Sequence, residues 1–159
     1  MRAWLALGVA VLLTACATPA PPPLAHSPDA QTWQGRLSVN VQTSPTTSMS
    51  ASFALQGQAQ QGSLSLYSPL GTTLAVLDWT ATAAHLHQGT KQQRFDSLEV
   101  LTEQATGAAL PVAALFDWLQ GTPSPAPGWQ VDLSALAQGS VSARRYQPTP
   151  EVTLRIKLD

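Results

Sequence analysis

A second cysteine is missing from this chain of 159 residues, so no disulfide can form within it. Charge is scarce as well. Charged residues make up 11% of the chain, and the net charge of −1 at pH 7 leaves no basic footprint for nucleic acid. The apolar run Ala3–Leu13 is shorter than the about 20 residues a bilayer-spanning helix needs. No G-x-S-x-G elbow surrounds Ser63 or Ser65. The carboxylates are scattered, with no pair at general acid/base spacing. His85 and His87 share a strand face at i, i+2, but no cysteine or carboxylate cluster stands beside them to complete a metal site. These absences argue against an enzyme, and neither a metal nor a cofactor is expected.

The lone cysteine sits in an informative place. Met1-Arg2 supplies one positive charge, Ala3–Leu13 is uncharged and mostly apolar, and Leu13-Thr14-Ala15-Cys16 follows. A charged n-region, an apolar h-region and small residues at the cut describe a secretory signal. A cysteine directly after the small residues resembles the lipobox of lipoprotein signal peptidase. Residues 1–15 are therefore expected to be removed and Cys16 to become the acylated N-terminus. Acylation also accounts for an odd cysteine in an exported protein.

Without residues 1–15 the chain has 144 residues, one domain's worth. Loss of Arg2 leaves seven Lys and Arg against nine Asp and Glu, a net charge of −2. An apolar fraction of 44% is ordinary for a globular domain. Residues 16–32 read as the lipidated cysteine and a Pro-rich tether, which if extended at about 3.1 Å per residue reaches roughly 50 Å. Residues 33–159 form the folded domain.

From Trp33 onward, period-2 alternation dominates. Leu37, Val39 and Val41 alternate with Arg36, Ser38 and Asn40, and Met49, Ala51, Phe53 and Leu55 with Ser50, Ser52 and Ala54. Leu64 and Leu66 repeat the pattern. Thr73–Trp79 is β-rich but alternates less cleanly. Short strands near His85–His87 and Gln92–Phe95 flank a hairpin signal at Gln88-Gly89-Thr90. A helix is expected from Asp96 or Ser97 to Gly107, carrying Leu98, Leu101 and Ala105. A second has Pro111 at its first position, Val112, Leu115, Phe116 and Leu119 on one face, and Gly121 as its stop. A Pro-rich loop, residues 122–128, leads to strands near Trp129–Leu133 and Val141–Tyr146, and to Val152, Leu154, Ile156 and Leu158. Eight or nine antiparallel strands with one apolar face must curl or be covered. The expected fold is mainly β: an incomplete antiparallel barrel with a two-helix lid.

Tyr67-Ser68-Pro69-Leu70-Gly71 joins two of these strands. Pro69 fixes φ and lacks an N–H, while Gly71 tolerates φ > 0. Leu70 thus stands at the apex of a tight turn. On turn chemistry alone its side chain either projects outward or folds back over the core.

These segments resemble the LolB family, the outer-membrane receptor that takes lipoproteins from the periplasmic carrier LolA. The likeness rests on the lipobox cysteine, Gly35-Arg36, Ser68-Pro69-Leu70-Gly71, and the block from Gly107 through Leu110-Pro111 to Leu115, Trp118-Leu119 and Gly121. Gly128-Trp129-Gln130-Val131 and Leu154-Arg155-Ile156-Lys157 continue it in the same order. The resemblance implies a helix-lidded half-barrel over an apolar cavity that holds a client's acyl chains, with Leu70 between Pro69 and Gly71 helping to deliver them into the membrane. It implies a LolA-like carrier, client lipoproteins and the inner leaflet of the outer membrane as partners, and a monomeric protein. Candidate cavity residues are Leu37, Val39, Phe53, Leu55, Leu64, Leu66, Leu115, Phe116 and Trp118, some of which must be plain core. Ala17, where some bacteria use an aspartate to retain lipoproteins in the inner membrane, is compatible with outer-membrane sorting. Two departures stand out. A Pro-rich loop replaces a further strand between Gly121 and Trp129, and the chain ends at Asp159 without a terminal tryptophan-containing stretch, so a shorter barrel side and a more open cavity are expected.

Two rival readings remain at this level. An accessory envelope lipoprotein that binds a protein partner would have a packed interior, whereas a receptor would have an open apolar pocket. A small lipid-anchored hydrolase would need a Ser/His/acid cluster assembled in space.

Overall fold

The computed structural model describes residues 30–159; the expected signal, Cys16 and the tether up to residue 29 lie outside them. Nine strands form one antiparallel sheet. They are β1 (Gln31–Val41), β2 (Thr47–Gln58), β3 (Gln61–Tyr67), β4 (Thr73–Trp79), β5 (Ala84–Gln88), β6 (Lys91–Phe95), β7 (Trp129–Asp132), β8 (Ser140–Arg145) and β9 (Val152–Leu158). Their order is β6-β5-β4-β3-β2-β1-β9-β8-β7. The edge strands β6 and β7 do not pair with each other, so the sheet stays open. β1 begins at Gln31, two residues before the expected domain boundary.

Alternation sets the register. Leu37 lies between Ala51 and Ile156, and Val39 between Met49 and Leu154. Phe53 faces Leu66, Leu55 faces Leu64, and Leu64 faces Leu77. A one-residue slip would turn every one of these side chains to solvent, which is why the pairing is well specified. β4 also alternates, with Ala75, Leu77 and Trp79 inward. Its irregularity is local: the pairing jumps from Leu66–Ala75 to Tyr67–Thr73, and the extra residue, Leu74, is exposed.

Gly35 marks a close approach. A Cβ there would lie 2.1 Å from the Lys157 carbonyl oxygen on β9. Gly35→Ala must push β9 away from β1 at the centre of the sheet. Overpacking of this kind costs about 2–3 kcal/mol, and a melting curve should fall by roughly 10 °C.

Two helices follow β6. α1 (Leu98–Thr106) starts at Ser97, whose hydroxyl accepts the Val100 N–H, and ends at Gly107, whose N–H returns to the Glu103 carbonyl. Leu101 is fully buried, but its companions are Thr102 and Thr106, not the expected Leu98 and Ala105, which are only partly covered. The threonines stay buried because their hydroxyls are satisfied. Thr102 donates to the Glu99 carbonyl and accepts the Leu110 N–H, both at 2.9 Å. Thr106 reaches the Thr102 carbonyl at 2.8 Å. They thereby fix the link to α2 (Val112–Leu119). Pro111 stands as the cap of α2, one position before the expected one. Lacking an N–H, it leaves no unpaired donor at either place. A single 3-10 turn, Leu136–Gln138, precedes β8.

Candidate functional site

The sheet and α2 meet over the apolar inner face. All nine candidate cavity residues lie there, and none is more than 6% exposed. The interior around these nine is therefore filled, whereas the family resemblance implies an open apolar cavity. Phe116 carries the junction. Its ring sits edge-on between Trp33 of β1, at a centroid distance of 5.5 Å, and Trp79 of β4, at 6.1 Å. Edge-to-face pairs at these distances contribute about 0.5–1.5 kcal/mol beyond their burial. Trp118 lies 6.4 Å from Trp129 of β7, and its indole N–H donates to the Ser124 carbonyl at 2.8 Å. α2 thus reaches from β4 across β1 to β7.

No hydrogen bond among the described residues ties α2 to a strand. α1 differs, since Gln104 donates to the Gln93 side chain on β6 at 2.8 Å. The underside of α2 is held by apolar contact alone. An alkyl chain can replace such contact without leaving a donor or acceptor unpaired.

Trp33, Trp79 and Trp129 join the candidate residues through these contacts. Two of them carry a sequence signal: Trp33 is in phase with Leu37 and Val39, and Trp79 with Leu77. Arg145 is in phase with the inward Val141 and Ala143. Its guanidinium lies 5.8 Å from the Trp129 ring centroid, and its Nε is buried without a hydrogen bond.

The second feature is the β3–β4 hairpin. The Gly71 N–H bonds to the Ser68 carbonyl at 2.9 Å, and the Ser68 N–H to the Thr72 carbonyl at 2.8 Å. The Ser68 hydroxyl accepts the Thr72 N–H at 3.2 Å. Leu70 has a negative φ, whereas Gly71 has φ +81°. This is a type I turn with proline at its second position, followed by a left-handed glycine. Leu70 is 95% exposed. Of the two orientations left open by turn chemistry, the structure has the outward one.

His85 and His87 do face the same side of β5, half-buried. His87 Nε2 lies 3.2 Å from Asp78 Oδ2. No group of three or more His, Cys, Asp or Glu is placed to hold a metal among the described residues. A groove of about 600 Å³ shares Pro69 with the hairpin tip and takes its polar lining from the outer face of the sheet.

Fold and site define a class: an open antiparallel half-barrel, closed over its apolar face by a helix, with an apolar residue projecting from one hairpin. The family described as "Outer membrane lipoprotein LolB" matches residues 29–155. The curated "Outer-membrane lipoprotein LolB" of Cupriavidus pinatubonensis is 38% identical over 128 residues, covering 77% of this chain and 62% of that protein. Its namesake from Cupriavidus taiwanensis is 37% identical, covering 93% and 79%. That from Bordetella petrii is 31% identical, covering 76% and 62%. The chain thus spans about three-fifths of the length of the first of these relatives. It belongs to the LolB family, and it is an outer-membrane lipoprotein.

Proposed function

We propose that this protein receives lipoproteins from a LolA-like periplasmic carrier and passes them into the inner leaflet of the outer membrane. The observation that carries the proposal is Leu70, an almost fully exposed leucine on a rigid hairpin of a LolB-family fold. A filled interior taken alone would suit an accessory protein. The purely apolar seam under α2 offers another explanation: acyl chains enter by displacing the helix. Leu37, Val39, Phe53, Leu55, Leu64 and Leu66 on the strands would then face the chains, with Leu115, Phe116 and Trp118 on the lid. Each buried CH₂ is worth about 0.8 kcal/mol, so the chains must stay covered at every stage. The sequence carries no nucleotide-binding motif, and unequal affinities along the route give the transfer its direction. Purified protein incubated with carrier-bound lipoprotein should take over the client. Retention of all client on the carrier would refute the proposal.

Cys16 serves as the anchor in this scheme. Protein purified from membranes should have the mass of a chain starting at residue 16 plus acyl groups. Two or more chains give stable anchoring, whereas one gives only marginal binding. Cys16→Ser should free a folded domain from the membrane with an unchanged melting temperature, because the tether separates lipid from core.

A further inference from the structure

We propose that the groove on the outer face of the sheet binds the headgroup of an anionic phospholipid, beside the point where the hairpin tip meets the bilayer. This rests on the proposal that Leu70 enters the membrane. The groove floor is a lattice of side chains from four adjacent strands. One row runs Ser52, Arg36, Lys157, Ser140, and the next Ser50, Ser38, Arg155, Ser142. Pro69 forms one wall, and Asp132 and Ala135 the other.

Three cations therefore stand among serines. Arg36 is paired directly with Lys157 across β1 and β9, and Arg155 is one step along β9. Like charges facing one another across strands destabilise a sheet. Among the described residues no carboxylate forms a salt bridge with any of the three. The Lys157 ammonium donates to the Gln138 carbonyl, which leaves its charge uncompensated. The single acid in the groove, Asp132, is bound to Ser134, whose hydroxyl and backbone N–H hold its carboxyl below the usual range. It stays ionised, and the groove keeps a net positive charge.

A phosphate diester suits this arrangement. Arginines grip phosphate oxygens bidentately, and the serine hydroxyls supply further donors. The source follows from position. Pro69, a groove wall, is the neighbour of Leu70, so a membrane touched by the tip presents its headgroups at the groove mouth. Leu74, turned outward by the bulge in β4, adds a second apolar side chain at the base of the same hairpin.

The test uses the full mature chain carrying Cys16→Ser, so that its own lipid does not hold it on vesicles. Binding is measured on phosphatidylcholine vesicles with and without phosphatidylglycerol. Phosphatidylglycerol should tighten binding, and added salt should reverse the gain. Arg36→Ala should weaken binding to the mixed vesicles about fivefold, and Arg36→Ala with Arg155→Ala about thirtyfold, as expected for cations near an anionic surface. Both sites are exposed, so melting should not change. Lys91→Ala with Arg94→Ala, on edge strand β6, should bind as the parent does. The groove is refuted if its double variant binds normally, or if the β6 variant loses as much. Leu70→Glu separates the two proposals. It should weaken binding to both kinds of vesicle, and an unchanged result would refute the tip while leaving the phosphatidylglycerol preference to judge the groove.

Discussion

Trp118→Ala is expected to lower stability by about 3–5 kcal/mol and to abolish most client uptake. The side chain is 1% exposed, and its removal leaves a ring-sized void beside Trp129. It also strips the Ser124 carbonyl of its donor, which costs about 1–3 kcal/mol more if water cannot reach it. Against a usual total of about 5–15 kcal/mol the domain remains folded but marginal. A melting curve should fall by at least 10 °C. Loss of uptake must exceed what the unfolded fraction explains, so a conservative variant is measured beside it. Trp118→Phe keeps an aromatic ring in place and gives up the hydrogen bond and part of the indole's volume. Acyl uptake should largely survive in it if α2 acts as an apolar lid. A fluorescent hydrophobic probe should bind the wild type and be displaced by acylated client. A folded wild-type sample that binds neither would favour a packed accessory protein.

Much of this architecture was legible because one apolar face imposes a period of two on every long strand. Leu37, Val39, Phe53, Leu55, Leu64 and Leu66 could be placed on the inner face from that pattern alone. Gly107 marked the end of α1, while its start was narrowed to Asp96 or Ser97, of which the structure uses Ser97. The failures have physical causes. Thr102 and Thr106 look like surface residues until their hydroxyl partners are known, and those partners come from the helix backbone and the α1–α2 link. Whether the trough is open or filled depends on how closely α2 approaches the sheet, which no local pattern encodes. The outer groove was equally hidden. Arg36 and Arg155 are far apart in the chain, and only the β1–β9 register brings them together. Leu70 lay between these extremes: Pro69 and Gly71 announced the turn, but not the direction of its apex.

Leu70→Glu is expected to leave folding intact while nearly eliminating delivery of clients into membranes. The side chain is 95% exposed and packs against nothing in the core. Substitution at such a position usually changes stability by no more than about 0.5 kcal/mol, so the melting curve should overlay the wild type. The turn also survives, because its hydrogen bonds run between Ser68, Gly71 and Thr72 and involve only the backbone and the Ser68 hydroxyl. What changes is the affinity of the tip for lipid. A leucine gains free energy by leaving water, whereas a glutamate must shed its hydration or its charge to follow. If the tip brings the seam under α2 to the bilayer, acyl chains in the variant have no covered path from protein to membrane. Receipt from the carrier should proceed normally, since the trough and lid are untouched, and client should accumulate on the variant. A two-step assay scores receipt and insertion separately. Insertion at the wild-type rate would show that the tip is not the delivery device. A large drop in melting temperature would assign Leu70 to the core, against its exposure.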